Sequence, residues 1–107
     1  MTDTWKNPLS MFEVAGKIAL ITGASGAFGM VAARTLAGAG CKIALAAGNA
    51  DALKAIAEEC RELGADVLEL NSRPNTEEAC KAMVDETVKA FGRLDILVVA
   101  SGMNKLQ

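Results

Sequence analysis

The chain alternates between two hydrophobic rhythms. Lys17 to Ile21 (KIALI) is a short, β-branched, almost continuous apolar run, which predicts a strand covered on both faces. Residues 27–39, rich in Ala and carrying Met30, Val31 and Leu36, predict a helix closed by Gly40. The cycle then repeats. Cys41 to Ala47 (CKIALAA) reads as a second strand and Gly48-Asn49 as a turn. In residues 50–63, Leu53, Ile56, Ala57, Cys60 and Leu63 recur at helical spacing before Gly64. Ala65 to Leu70 (ADVLEL) reads as the third strand. Asn75-Thr76-Glu77-Glu78 supplies a cap and first-turn acids to a third helix, whose buried stripe is Cys80, Met83, Val84, Thr87, Val88 and Phe91, ended by Gly92. Asp95 to Ala100 (DILVVA) is the fourth strand. Residues 1–16 form an irregular lead-in with a turn signal at Asn7-Pro8.

Four apolar strands joined by three helical crossovers demand an α/β fold with a parallel sheet, because parallel neighbours need long connections and those connections cover the faces. The crossovers are taken as right-handed. The pattern leaves strand order open, with 3-2-1-4 the common solution for a nucleotide-binding half-sheet.

At 107 residues the chain is one domain at most, and its 51% hydrophobic and 22% charged residues are a globular composition. Eleven basic against thirteen acidic residues, without a basic cluster, exclude the electrostatic footprint of a nucleic-acid or anionic-membrane binder. The uncharged run 18–33 is 16 residues long and broken by glycines, short of the ~20 that span a bilayer. No signal-peptide pattern stands at the N-terminus. Cys41, Cys60 and Cys80 lack a C-x-x-C pairing and the chain has no His, so they read as reduced thiols of a cytoplasmic protein and not as metal ligands.

Candidate chemistry sits directly after the first strand. Gly23, Gly26 and Gly29 recur at three-residue intervals in LITGASGAFGMVAA, a spacing that is neither G-x-G-x-x-G nor the P-loop. Such glycines either permit tight helix–strand packing or bare the backbone for a phosphate. The position at the first helix N-terminus, with hydroxyls at Thr22 and Ser25, favours the phosphate. Gly23 would let the chain leave the strand sharply, Gly26 would tolerate a strained or ligand-facing backbone, and Gly29 would let the helix lie close.

Thr22-Gly23-Ala24-Ser25-Gly26-Ala27-Phe28-Gly29 resembles the T-G-x-x-x-[G/A]-x-G turn of the short-chain dehydrogenase/reductase family. FEVAGKIALITGAS resembles that family's start, and FGRLDILVVASG its segment ending D-I-L-V-N-N-A-G, about seventy residues further on. The resemblance implies a Rossmann-type doubly wound parallel sheet, of which residues 1–107 are the N-terminal part of a single NAD(P)-binding domain. It implies that Gly23, Ser25, Gly26, Phe28 and Gly29 hold the diphosphate. Gly48 and Asn49 would face the adenosine ribose, Asn71 and Ser72 the adenine, and Val99, Ala100, Ser101 and Gly102 the nicotinamide-side ribose. Two departures stand out. Val99-Ala100-Ser101-Gly102 replaces N-N-A-G, so Ser101 or backbone groups must substitute for the lost amides. Asn71 replaces an Asp, and its carbonyl can accept the same bond from the adenine amino group. Ala47 and Gly48 supply neither an acid that would favour NAD nor an Arg that would favour NADP. The missing acid and the polar Asn49 favour NADP, while Asp51 falls in the first turn of the second helix.

The resemblance also implies hydride exchange with a small alcohol or carbonyl substrate, using a Tyr as acid/base, a Lys four residues on and a Ser. The chain has no Tyr, so no catalytic residue is assigned and the chain alone is expected to be inactive. An unpaired fourth strand is expected to need a further portion of the domain, and full-length members of the family are usually homo-oligomers. A truncated protein, a cleaved enzyme and a naturally short product all give this sequence. The alternative function is a non-catalytic nucleotide-binding or subunit-pairing module. Nothing in the chain speaks to the identity of the substrate.

Overall fold

The computed structural model describes residues 14–100, so the lead-in before Val14 and the predicted Ser101 and Gly102 lie outside the described residues. Strand and helix alternate as β1 (Ile18–Thr22), α1 (Ala27–Gly38), β2 (Lys42–Ala46), α2 (Ala50–Glu62), β3 (Val67–Leu70), α3 (Glu77–Phe91) and β4 (Ile96–Val99). Each predicted element forms. The glycines expected to stop the helices, Gly40, Gly64 and Gly92, all take left-handed backbone angles.

All strand pairs are parallel, and their order is β3-β2-β1-β4. The chain therefore steps outward from β1 to β3 and returns across β1 to place β4 on its other side. The two directions of winding put helices on both faces, which is the doubly wound Rossmann-type arrangement. The two-residue period of the strands divides the core accordingly. Ala19, Ile21, Ile43 and Leu45 meet Ala33 and Ala37 of α1 and Leu53, Ile56, Ala57 and Cys60 of α2. Leu20, Ala44 and Ala46 point the other way, to Met83 of α3. Register keeps these faces continuous, with Ala19 opposite Ile43 and Ile21 opposite Leu45. Ile21, Ile43 and Leu45 are wholly buried, each contributing about 1.5–3 kcal/mol over an exposed side chain.

Burial departs from the predicted stripes in three places. Leu63 stands at the C-cap of α2, past the last helical turn, and is exposed. On α3 only Met83 and Thr87 are fully buried, while Cys80 and Val88 are exposed. Strand β4 is not covered on both faces: Ile96 and Val98 pack against the α1–α2 core, but Leu97 and Val99 are each 54% exposed. The common cause on this side is that α3 contacts β1, β2 and β3 but does not reach β4.

The starts of β1 and β4 are stitched together. The Asp95 carboxylate accepts from the Ile18 N–H at 2.9 Å and from Arg93 Nε at 2.9 Å, and Arg93 Nη2 donates to the Gly16 carbonyl at 3.2 Å. The Ile18 N–H, followed by the Arg93 guanidinium, holds the Asp95 carboxyl below its ordinary pKa. A carboxyl lowered in the folded state stabilises the fold fully above its unfolded pKa of about 4, and that contribution fades as pH falls through the lower folded value. The difference in urea midpoint between the natural chain and Asp95→Asn should thus be larger at neutral pH than in acid; a difference that grows on acidification refutes this role. Burial pushes the Cys41 and Cys60 thiols up, whereas Cys80 is exposed. A chromogenic disulfide reagent should therefore titrate Cys80 rapidly in the native chain, and Cys41 and Cys60 only after denaturation.

Candidate functional site

Because the strands run parallel and in register, their C-terminal ends line one edge of the sheet. Thr22 lies opposite both Ala46 and Val99, and Ala46 opposite Leu70. The loops after the strands bring Gly23–Gly29, Gly48–Asn49, Asn71–Ser72 and Val99–Ala100 to that edge. Backbone bonds continue the ladder past the strand ends: Ala24 N–H to Ala46 at 3.0 Å, Ala47 N–H to Leu70 at 3.1 Å, and Ala100 N–H to Thr22 at 3.2 Å.

The turn after β1 rests on two glycines. Gly23 has φ +68°, a left-handed angle that reverses the chain at the strand end. Gly29 sits in the first turn of α1, where an added Cβ would collide with the Gly23 carbonyl oxygen and lie 2.9 Å from Ala24 Cα. The close approach is thus between helix and turn, and it presses the N-terminus of α1 against the strand exit. Gly26 differs from the expectation of an unusual backbone. Its φ of −82° suits any residue, and an added Cβ would make an ordinary 3.5 Å contact with the Gly23 carbonyl. Ala27 likewise keeps negative φ, so a side chain is tolerated there.

Helix α1 begins without a side-chain cap or a first-turn acid. By contrast, Asn49 caps α2 by accepting from Ala52 N–H, and Thr76 caps α3 by accepting from Ala79 N–H, each at 2.9 Å. Gly26 N–H donates to Gly23 at 3.0 Å and Met30 N–H to Gly26 at 2.8 Å. No acceptor among the described residues takes the N–H groups of Ala27 and Phe28. These open donors and the positive end of the helix dipole form a cradle for an anion. Phe28 is 58% exposed at its mouth, and Ser25 is half-buried. The Thr22 hydroxyl faces elsewhere, donating to the Val98 carbonyl at 3.5 Å.

The neighbouring loops are tied to one another. Asn71 Nδ2 donates to the Ala47 carbonyl at 2.9 Å and to the Gly48 carbonyl at 3.2 Å, which leaves Oδ1 to accept a bond from outside. An Asp in its place could not make those donations. Asn49 uses its carbonyl in the α2 cap, and its amide nitrogen is the end free to donate. Asp51 lies in the first turn of α2, where the sequence put it. Arg73 escaped the reading of motifs and spacing. Its guanidinium covers Gly48, where an added Cβ would lie 2.6 Å from Nη2 and nearer still to Nε and Cζ. The signal was present as a side chain missing at 48 and a long one 25 positions later, but only the parallel pairing of β2 and β3 joins them.

Among the described residues no cluster of His, Cys, Asp or Glu could hold a metal, and no helix is long and apolar enough to cross a membrane.

A family model described as short chain dehydrogenase matches residues 17–107. The chain is 42% identical over 92 residues to an 11-beta-hydroxysteroid dehydrogenase-like protein of Arabidopsis thaliana, covering 85% of this chain and 30% of the relative. Among solved structures it superposes on an NAD+-bound xylitol dehydrogenase with a TM-score of 0.75 and 36% identity, covering 79% of this chain and 33% of that one. An L-sorbose reductase of Gluconobacter frateurii, solved with NADPH and L-sorbose, gives a TM-score of 0.74 and 36% identity over 78% of this chain and 32% of that one. The chain thus spans about a third of the length of the proteins it matches.

The geometry separates two of the glycines. Gly29→Ala should destabilise the fold by about 3 kcal/mol, since a backbone carbonyl must move to admit the methyl group. Gly26→Ala should cost about 1 kcal/mol, from poorer capping alone. Urea unfolding of the two variants measures both, and equal losses would contradict the close approach at Gly29.

Proposed function

Since the chain belongs to the short-chain dehydrogenase family, we propose that it is the cofactor-binding part of an NAD(P)-dependent oxidoreductase acting on an alcohol or carbonyl compound. The observation that carries this reading is an ordering. Across the sheet the strands run β3, β2, β1, β4. The groups at their ends then match the covalent order of a dinucleotide. Asn71 and Ser72 suit adenine, Gly48 and Asn49 its ribose, residues 23–29 the diphosphate, and Val99 and Ala100 the nicotinamide-side ribose.

The residues present fit such a ligand. A diphosphate needs backbone donors and a surface free of side chains, which the uncapped α1 and Gly29 supply. An adenine amino group needs an acceptor, which Asn71 Oδ1 supplies. Bound there, the nicotinamide ring would accept or donate hydride at its C4 atom. The chain's own residues would bind and orient the dinucleotide; proton transfer falls to groups outside this sequence, which has no Tyr and no His. The solved relatives hold NAD+ in one case and NADPH in another, and the absence of an acid at the end of β2 favours NADP here. A cytoplasmic setting suits the three free thiols.

A second reading, a non-catalytic subunit-pairing module, draws on the exposed Leu97 and Val99 of β4. In the leading reading that face and edge adjoin further strands and helices of a complete domain, which would itself associate as a homo-oligomer.

Titration of the isotope-labelled chain with ADP-ribose should shift the amide resonances from Thr22 to Met30. Resonances that stay put at millimolar ligand would sink the proposal. The chain alone, given NAD(P)H and a panel of aldehydes and ketones, should show no hydride transfer by absorbance, and measurable turnover would contradict the assignment of proton transfer elsewhere.

A further inference from the structure

The chain has four arginines, and three have a carboxylate partner: Arg34 with Glu59 at 2.6 Å, Arg61 with Glu69 at 2.8 Å and Arg93 with Asp95 at 2.9 Å. Arg73 is the exception. It makes no ion pair or hydrogen bond among the described residues, is exposed, and lies with its guanidinium over Gly48. Three features hold it there. Asn71, two residues earlier, clamps the exit of β3 to the carbonyls of Ala47 and Gly48. Pro74 comes directly after and restricts the Arg73 backbone to extended angles, which limits where its side chain can start. Gly48 has no side chain, and any Cβ there would take the space of the guanidinium.

The charge of this corner is one-sided. Ala46, Ala47, Gly48 and Asn49 place no acid beside Arg73, and Asp51 belongs to the first turn of α2. A planar cation with free donors, over a bare backbone, matches a phosphate monoester, which takes two parallel N–H bonds from a guanidinium. A ribose hydroxyl offers no such charge. We propose that Arg73, reaching across from the exit of β3 to cover Gly48, is the residue that selects a 2′-phosphorylated dinucleotide. The inference rests on the dinucleotide reading above and adds to it the residue that decides the preference. Positions 48 and 73 act as one unit: a small residue at the first admits the arginine of the second. The charge a β2-end arginine would supply therefore comes from a different strand.

The test compares ADP-ribose with its 2′-phosphorylated form by calorimetry on the 107-residue chain. The phosphorylated ligand should bind tighter by about tenfold or more, as a charge-assisted pair allows. In Arg73→Ala the ratio of the two affinities should fall toward one. Arg73→Lys should restore only part of it, because an ammonium lacks the two-pronged geometry. The double variant Gly48→Arg with Arg73→Ala should recover the preference from the other strand. If the natural chain binds both ligands equally, or if Arg73→Ala keeps the full ratio, the role of Arg73 is refuted while measurable ADP-ribose binding leaves the functional reading intact. If neither ligand binds, both fall together.

Discussion

The rest of the site depends on the contact of Gly29 with the carbonyl of Gly23. With no Cβ between them, the first turn of α1 lies directly on the chain leaving β1, which the left-handed angle of Gly23 has just reversed. Glycine inside a helix costs about 0.5–1 kcal/mol relative to alanine, so the start of α1 is a poor helix by local propensity. The later turns of the helix hold it in place. Ala33 and Ala37 continue the same face at four-residue spacing, and their small size lets the whole helix sit close to β1 and β2. The open N–H groups then point past the strand end because packing, not capping, has fixed the position of the helix.

The parallel sheet turns this single contact into an extended site. Parallel pairing aligns every strand end on one edge, and the winding order puts β1 between β2 and β4, so that the loop after β1 lies at the middle of that edge. The same winding leaves the structure lopsided. Strands β1 and β2 are buried on both faces, whereas β4 has a helix-covered face and an exposed one. Stability is thus concentrated around Ile21, Ile43 and Leu45, with a charged tie at Asp95 and Arg93 anchoring the strand that is least covered.

Polar side chains at that edge hold the loops themselves. Asn49 caps α2 through its carbonyl oxygen, and Asn71 clamps two loops through its amide nitrogen. Each leaves the other end of its amide open. A carboxylate at position 71 would face two carbonyl oxygens, so the amide found here fits the loop geometry.

Repeated apolar runs, helical spacing and the glycines after each helix were enough to place all seven elements, because these signals act over a few residues and reflect local backbone preference and burial. The three-glycine turn was legible for the same reason, whereas the pattern left the strand order open until the sheet itself showed β3-β2-β1-β4. Other features were decided only by the fold. Gly26 proved conformationally ordinary, Val88 stayed exposed on α3, Leu97 lay on a face of β4 that α3 does not reach, and the Thr22 hydroxyl turned to β4. Above all, Gly48 and Arg73 are separated along the chain and become neighbours through the pairing of β2 with β3. Periodicity reports which way a side chain faces; contact across strands depends on register and on which helix covers which face, and those are properties of the assembled sheet.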